Sequence, residues 1–489
     1  MIFASGWAIL TWSPVGKTGG LIPLAKVVYL PSRLSRERFS LRMLQISPAT
    51  IALSVRTSST KPPLTDAHLF NHPAAELPTS IPMLDLSRQF EQIRAEVLAA
   101  VGRVCASQHY ILGPEVEALE REAAAFCGAA DAIGCASGTD ALWLALAAAG
   151  VGPGDHVVTS PFSFFASGSA IVRAGARPVF ADIDPATFNL DANKVRQFLG
   201  TAKNKKVRAL LPVHLYGQCA DMEAFQRLDN EFGLTLIEDA AQAIGASGKD
   251  AEGKPRRAGS IGVTAAFSFY PTKNLSAYGE AGLVTTSNAE MAAHMRRLRN
   301  HGSPKRYVHE EMGWNCRLDA IQAAVLRVKL KYVEGWNDAR RRIAVNYDRL
   351  FAEAGLAREN KATVSQTAWV VAQAPQSTIS NQESAISENY PIQLPYTAAD
   401  AHHVFHQYVV RAYRRDELRE FLTARQIGAE IYYPIPLHLQ PAFIYLGYRE
   451  GDFPEAERAA KEVLALPMFP ELTEDEQRRV VTSIADFYC

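Results

Sequence analysis

Between Ala132 and Thr286 short apolar runs alternate with stretches of helical periodicity, and no other property of the chain narrows its fold so far. The runs are Ala132–Cys135, His156–Thr159, Pro178–Ile183, Val207–Val213, Leu234–Glu238, Ala265–Tyr270 and Gly282–Thr286. Helical patterns at Asp140–Ala149, Phe164–Ala174, Asp191–Leu199 and Asp221–Phe232 separate the first five. Apolar runs without polar alternation belong in a sheet covered on both faces, and a helix after a strand is the crossover that parallel pairing needs. The pattern predicts an α/β protein whose large domain carries a mostly parallel seven-stranded sheet. Ligands of such sheets bind at the carboxyl ends of the strands, so the residues just past each run matter most.

Around this block the text changes character. Helical patterns at Gln89–Val101 and Pro114–Phe126 precede it, with Pro114 suited to a first helical turn. Leu318–Leu350 reads as one helix of about nine turns. The Ser/Gln/Asn-rich stretch Gln373–Pro395 has no periodicity and reads as a disordered insertion at about residues 365–392. Beyond it come a strand at Gln407–Ala412, a helix at Asp416–Arg425, a Pro-rich turn at Pro434–Pro441 and helices at Pro454–Leu464 and Thr473–Ile484. The expected organisation is an extension over 1–80, a large domain over 81–335 and a smaller α+β domain over 336–489.

The extension has its own composition. From Met1 to Thr60 the only acid is Glu37, against Lys17, Lys26, Arg33, Arg36, Arg38, Arg42 and Arg56. Organelle transit peptides have this composition, and so does upstream sequence translated from a start codon set too early. Across the 489 residues Lys plus Arg is 51 and Asp plus Glu is 51, which gives no charge-based reason to expect nucleic acid or an anionic membrane as partner. The cysteines, Cys105, Cys127, Cys135, Cys219, Cys316 and Cys489, show neither zinc-ligand nor disulfide-framework spacing. Free thiols suit a cytoplasmic protein, with organelle import the expectation if the extension is a transit peptide. No apolar stretch is long enough to span a bilayer.

Three positions fit the needs of pyridoxal phosphate. Lys273 follows the run ending at Tyr270 and has Phe267, Phe269, Tyr270 and Leu275 nearby in sequence. An amine in apolar surroundings loses its proton near neutral pH and can form a Schiff base. Asp239 ends the run from Leu234, where a carboxylate can face the pyridine nitrogen; a helix cap is the plainer role for it. Ser137, Gly138 and Thr139 open a helix, whose N–H groups and dipole attract phosphate. Ser268 lies on the run leading to Lys273 and can give its hydroxyl to the same phosphate. Gln242, one helical turn after Asp239, is placed to orient the ring or its hydroxyl, and Phe164 is a candidate to stack on it.

Other clusters read as structural. His402, His403 and His406 have the spacing of one helix face, expected to be partly exposed rather than a metal site. Arg340-Arg-Arg342 reads as a solvated helix face, and Gly150-Val-Gly-Pro-Gly154 as a turn.

The blocks Ser137-Gly-Thr-Asp-Ala-Leu142, Pro212-Val-His-Leu-Tyr-Gly217, Glu238-Asp-Ala-Ala-Gln242, Ser268-Phe-Tyr-Pro-Thr-Lys-Asn-Leu275, Trp314-Asn-Cys-Arg-Leu-Asp319 and Tyr433-Pro-Ile-Pro-Leu-His-Leu-Gln440 stand in this order. In them the chain resembles the DegT/DnrJ/EryC1/StrS sugar aminotransferase family. The resemblance implies a fold-type I homodimer with shared active sites, an amino donor that is usually glutamate, and a keto nucleotide-sugar acceptor. It makes Lys273 the Schiff-base lysine, Asp239 the partner of the pyridine nitrogen, Gln242 a cofactor contact, and Ser268, Gly138 and Thr139 the phosphate holders. Asn315 and Arg317 match a segment that reaches into the neighbouring subunit's site. The blocks around His214 and His438 look most like members that aminate C3 of a deoxyhexose. Departures are Ile244, Ser276, Glu280 and Ala281, where His, Gly, Asp and Gly are common; they bear on turn geometry and substrate preference. Two rivals stay open: a non-catalytic sensor of the same fold, and a sugar dehydratase, whose branch carries histidine in place of the lysine.

Overall fold

The computed structural model describes residues 80–201, 206–357, 386 and 390–489. Residues 1–79 of the expected extension and most of the polar stretch read as an insertion lie outside them.

Strands β1 (Asp131–Cys135), β2 (His156–Thr159), β3 (Arg177–Phe180), β4 (Val207–Leu211), β5 (Thr235–Asp239), β8 (Thr264–Ser268) and β9 (Gly282–Thr286) form the expected seven-stranded sheet, in the order β1-β9-β8-β5-β4-β2-β3. Pairing is parallel from β8 across to β3, and β9 runs antiparallel to both its neighbours. Period-two alternation sends successive residues to opposite faces. Ile237, Ala266 and Val284 face a core built with α3 (Gly138–Ala148), α4 (Phe165–Arg173) and α7 (Ala289–Leu298). Their neighbours Leu236, Ala265 and Leu283 pack the other way, against α2 (Pro114–Cys127), α5 (Ala192–Leu199), α6 (Met222–Phe232) and α8 (Ala320–Leu330). Each such aliphatic side chain contributes about 1.5–3 kcal/mol when fully buried, so both faces commit the strands to this register. Helix α1 (Leu86–Ser107) lays Ile93, Val97 and Val104 on the outer side of α8.

A second sheet, β10 (Ile392–Gln393), β11 (Tyr408–Ala412) and β12 (Val463–Leu466), is antiparallel. One face carries Tyr408, Val410 and Leu464 onto α9 (Val333–Glu353), α10 (Arg415–Ala424) and α12 (Glu474–Tyr488). The other carries Val409 and Ala465 onto α11 (Pro454–Glu462) and onto Phe162, Phe180 and Tyr216, at or just past the carboxyl ends of β2, β3 and β4. The small sheet is thereby seated beside the carboxyl edge at which ligands of such sheets bind. A hairpin of β6 (Ser247–Lys249) and β7 (Pro255–Arg257), too polar to register as strands in the sequence, forms a separate two-stranded sheet.

Four expectations are corrected. The long helix expected over Leu318–Leu350 breaks at Lys331–Tyr332, because α8 packs with α1 and α2 while most of α9 serves the small sheet's core. The helix expected to reach Leu464 ends at Glu462, and Val463-Leu-Ala-Leu466 becomes β12; a short run apolar on every side has no period to tell strand from helix. Ile392–Gln393, at the end of the polar stretch, forms β10. Arg340 is buried, its Nη1 donating to Phe405 O (3.2 Å), His406 O (3.3 Å) and Met468 O (2.9 Å) rather than facing solvent. Among the described residues no helix is long and apolar enough to cross a membrane.

Candidate active site

Parallel neighbours β5 and β8 end side by side, with Asp239 registered against Ala266. Asp239 is therefore delivered at the sheet's carboxyl edge, and Ser268 on the next strand. The turn after Ser268 closes through Lys273 N to Tyr270 O (2.9 Å) and Ala277 N to Phe269 O (2.8 Å). Leu275, Ala277 and Ala281 are fully buried beneath it, against Phe267 and Phe269. The lysine is held on a fixed turn over apolar packing. Burial pulls its amine down to about 8, against the opposing pull of the Asp239 carboxylate.

Asp239 is buried, and its Oδ2 accepts from Ser167 Oγ at 2.7 Å. Ser163 Oγ stands 2.9 Å from Ser167 Oγ, and the Ala241 N–H reaches Asp239 Oδ1 at 3.3 Å. Burial raises the carboxyl's pKa, while the Ser167 and Ala241 hydrogen bonds and the nearby Lys273 pull it back. A cationic nitrogen held against this carboxylate would restore the ion pair that burial otherwise penalises.

The candidate phosphate cradle is equally explicit in its packing. Ser137 caps α3, its Oγ accepting from Asp140 N at 3.1 Å. A first helical turn leaves the Gly138 and Thr139 N–H groups without intrahelical acceptors. A Cβ on Gly138 would lie 2.6 Å from Ser268 Cβ and 2.9 Å from its Oγ, so only glycine lets the helix end meet the serine. A Cβ on Gly282 would lie 2.2 Å from Ser137 O, which brings β9 equally close behind the cradle. Gly138→Ala is expected to weaken cofactor retention at least tenfold and, because the added Cβ collides with Ser268, to destabilise the fold by about 1–3 kcal/mol. Equilibrium dialysis against pyridoxal phosphate measures the first and thermal unfolding the second, and unchanged retention would remove Gly138 from the cradle.

Phe164 is the N-cap of α4 and is 57% exposed, its ring 6.1 Å from that of Tyr433. Gln242 has both ends of its amide engaged, accepting from Tyr216 N (2.7 Å) and donating to Tyr433 Oη (3.1 Å). Arg317 bridges the end of β1 through its backbone, but its side chain donates to Asn315 Oδ1 (3.0 Å) and Asn300 Oδ1 (3.3 Å). Those hydrogen bonds do not bring Asn315 and Arg317 to Lys273.

Sequence reasoning gave no role to several residues that the site uses. Ser167 and Tyr433 belong to it, and the i, i+4 pair of serines at the start of α4 was the available signal. Behind Asp239, Glu238 is fully buried and accepts from the Gly259, Ile261 and Gly262 N–H groups at 2.9, 2.8 and 2.7 Å and from His214 Nε2 at 3.0 Å. His214 Nδ1 accepts from Ala220 N (3.2 Å), so its proton sits on Nε2, toward Glu238. The histidines expected on a helix face are not helical; His403 and His406 are buried at 5% and 7% exposure, since their segment runs beneath the lysine turn into β11.

A sequence profile of the DegT/DnrJ/EryC1/StrS aminotransferase family matches residues 91–389 and 373–485. The chain belongs to this family. Among its relatives, a pleiotropic regulatory protein of Geobacillus stearothermophilus is 46% identical over 84% of this chain and 99% of its own length. A dTDP-3-amino-3,4,6-trideoxy-alpha-D-glucose transaminase of Streptomyces venezuelae is 41% identical over 84% of this chain and 97% of its own. The crystal structure of S. venezuelae DesV, in complex with a ketimine intermediate, superposes with a TM-score of 0.73 at 40% identity, covering 84% of this chain and 98% of that one. The architecture is that of fold-type I aminotransferases. The protein is an aminotransferase dependent on pyridoxal phosphate, and Lys273, Asp239 and the Gly138–Ser268 cradle fit that cofactor's aldehyde, ring and phosphate.

Proposed function

We propose that this family member transfers the amino group of L-glutamate to a keto-deoxy sugar carried on a nucleotide, at C3. The carrying observation is the placement of Lys273, Asp239 and the Gly138–Ser268 contact together at the carboxyl edge of β5, β8 and β1. Support for a sugar acceptor comes from the S. venezuelae relative's name and from the blocks around His214 and His438.

Pyridoxal phosphate, when bound, supplies the electron sink that lets a Cα–H bond of an amino acid break. The chain supplies the rest. Lys273, with its pKa near 8, is partly neutral at physiological pH and can take a proton from the donor's Cα and return it one atom away, as general base and then acid. Asp239 favours a proton on the nitrogen that faces it. Gly138, Thr139 and Ser268 anchor the phosphate, and the exposed Phe164 ring is free to lie on a flat ligand. Gln242 acts through Tyr433, which burial keeps as a neutral phenol. The second half-reaction returns the amino group to the sugar through the same residues.

A proton on Lys273 blocks its attack on an aldehyde. Capture of pyridoxal phosphate by cofactor-free protein should therefore accelerate about tenfold per pH unit below 8 and level off above it. Stopped-flow absorbance tests this; a flat profile would assign capture to another group.

The working unit in this reading is a homodimer whose sites are completed by Asn315 and Arg317 of the partner subunit. Support comes from the family resemblance of this segment, from Arg317 bonding to Asn315 and Asn300, and from the exposed Tyr307, Met312 and Trp314 just before it in sequence. Sedimentation should give about twice 53.6 kDa; a monomer at micromolar concentration would refute the shared site.

Absorbance spectra before and after L-glutamate, followed by mass spectrometry of a 3-keto nucleotide sugar incubated with both, test the whole. Loss of the visible band and an aminated sugar support it. The name of the G. stearothermophilus relative favours a second reading, a sensor that binds the cofactor. A band indifferent to glutamate and to other amino donors would choose that one.

A further inference from the structure

The residue after the lysine ends a buried chain of amides. Asn274 Nδ2 donates to Asn337 Oδ1 at 2.8 Å and to Val404 O at 3.0 Å. Asn337 Nδ2 in turn donates to Ile244 O at 3.0 Å. With both Asn274 N–H groups used, its Oδ1 can only accept, and it lies 3.1 Å from His406 Nδ1. The proton of His406 therefore sits on Nδ1, and the chain runs in one direction: His406 to Asn274, Asn274 to Asn337, Asn337 to the Ile244 carbonyl. All three side chains are buried, at 7%, 4% and 0% exposure. At that depth an unmet amide hydrogen bond costs about 1–3 kcal/mol, so the chain resists being broken at any link.

The members come from four places. Asn274 is on the lysine turn, Asn337 on α9, Ile244 on the segment after Asp239, and His406 just before β11. Arg340 secures the last of these by donating to Phe405 O and His406 O. We infer that His406 and Asn337 are positioning residues for Lys273, acting through the Asn274 amide to hold the reacting amine against its buried seat. Among the described residues the Asn274 side chain is tied to α9 through Asn337 and to the small-sheet segment through Val404 O and His406. The inference rests on Lys273 being the amine that takes the cofactor.

The charged groups facing this locus are Lys273 itself, Asp239 and Arg340, and burial together with the two cations keeps the His406 ring neutral. A neutral His406 adds no charge to the lysine. Its loss acts by freeing the turn, so that the amine reaches water and its titration moves toward that of an ordinary lysine, about 10.4.

The test titrates Lys273 in full-length protein stripped of cofactor, by trace labelling with acetic anhydride across pH and peptide mass spectrometry. His406→Leu should raise the midpoint by about one pH unit, a tenfold change in neutral amine at pH 7, and slow capture of pyridoxal phosphate to match. His406→Asn carries an N–H donor near the place of Nδ1 and should restore both to within threefold of the parent. Asn337→Ala reports from the other end of the chain, by the same readouts, should His406→Leu fail to fold. An unmoved midpoint in folded His406→Leu or Asn337→Ala overturns the inference, as does His406→Asn behaving like His406→Leu. Because labelling needs neither cofactor nor sugar, these outcomes stand apart from the proposed reaction: parent protein that never captures pyridoxal phosphate would refute that reaction instead.

Discussion

Lys273→Ala is expected to lose transamination altogether, with turnover reduced by about 10⁴-fold or more, the upper range for a general acid–base group. The visible band of the attached cofactor should vanish while the protein stays folded. Fold and chemistry separate here because the turn is built without the amine. Its hydrogen bonds are backbone ones, its apolar support comes from Leu275, Ala277 and Ala281, and the Asn274 side chain anchors it independently. The substitution should even reveal a cost that the native residue imposes. An amine depressed from 10.5 to about 8 binds fewer protons folded than unfolded between those values, so stability rises with pH across that window. Below pH 8 both states hold the proton and the penalty is at its full size. Lys329, buried on α8 and donating to Ser276 Oγ at 2.8 Å, is depressed to about 8 as well and adds the same slope. Cofactor-free Lys273→Ala should accordingly be more stable than the parent at pH 7 and show a shallower rise from pH 8 to 10. Denaturant titrations at three pH values measure this. Parent-like turnover and absorbance in the variant would remove Lys273 from the reaction.

What could be read in advance follows from how each signal is encoded. The seven apolar runs are each buried on both faces, so hydrophobicity alone marks them, and the ends of β2 and β9 fall where the pattern put them. Where a segment serves two cores the pattern gives no warning. Leu318–Leu350 has unbroken helical periodicity, yet its halves pack against different elements and must change direction at Lys331. Val463–Leu466 carries no period at all, and only its pairing with β11 makes it a strand.

The site divides in the same way. Lys273, Asp239, Ser268 and Gly138, whose roles are proposed, could be singled out because each sits at or just past the end of a readable strand or at the start of a readable helix. Ser167 and Tyr433 were not, since their roles depend on α4 and the turn before Pro434 being brought onto β5 by tertiary packing. Arg340, His403 and His406 misled because a charged or titratable side chain is expected in water unless its partners are known. Here the partners are mainly backbone carbonyls, an N–H group and the Asn274 amide, none visible in residue types.

Asp239→Asn should keep the cofactor yet lower kcat by about 10²–10³-fold, roughly 3–4 kcal/mol, as for removal of one preorganised electrostatic group. The amide oxygen can still accept from Ser167, so the shape of the site survives; what disappears is the negative charge. Without it nothing at that position favours a proton on the facing nitrogen, and the charge that develops when the Cα–H bond breaks loses its stabilisation. Ser167→Ala makes the complementary change, leaving the carboxylate and removing the hydrogen bond that holds its pKa down. Its kcat should fall only about fivefold, for a bond worth about 1 kcal/mol. The acidic limb of its pH–rate profile should move to higher pH, because Asp239 then accepts a proton more readily. In Asp239→Asn that limb should be absent. An acidic limb unmoved by either substitution would mean that another group titrates there, and Asp239 would then be a structural carboxylate rather than the partner of the cofactor's ring.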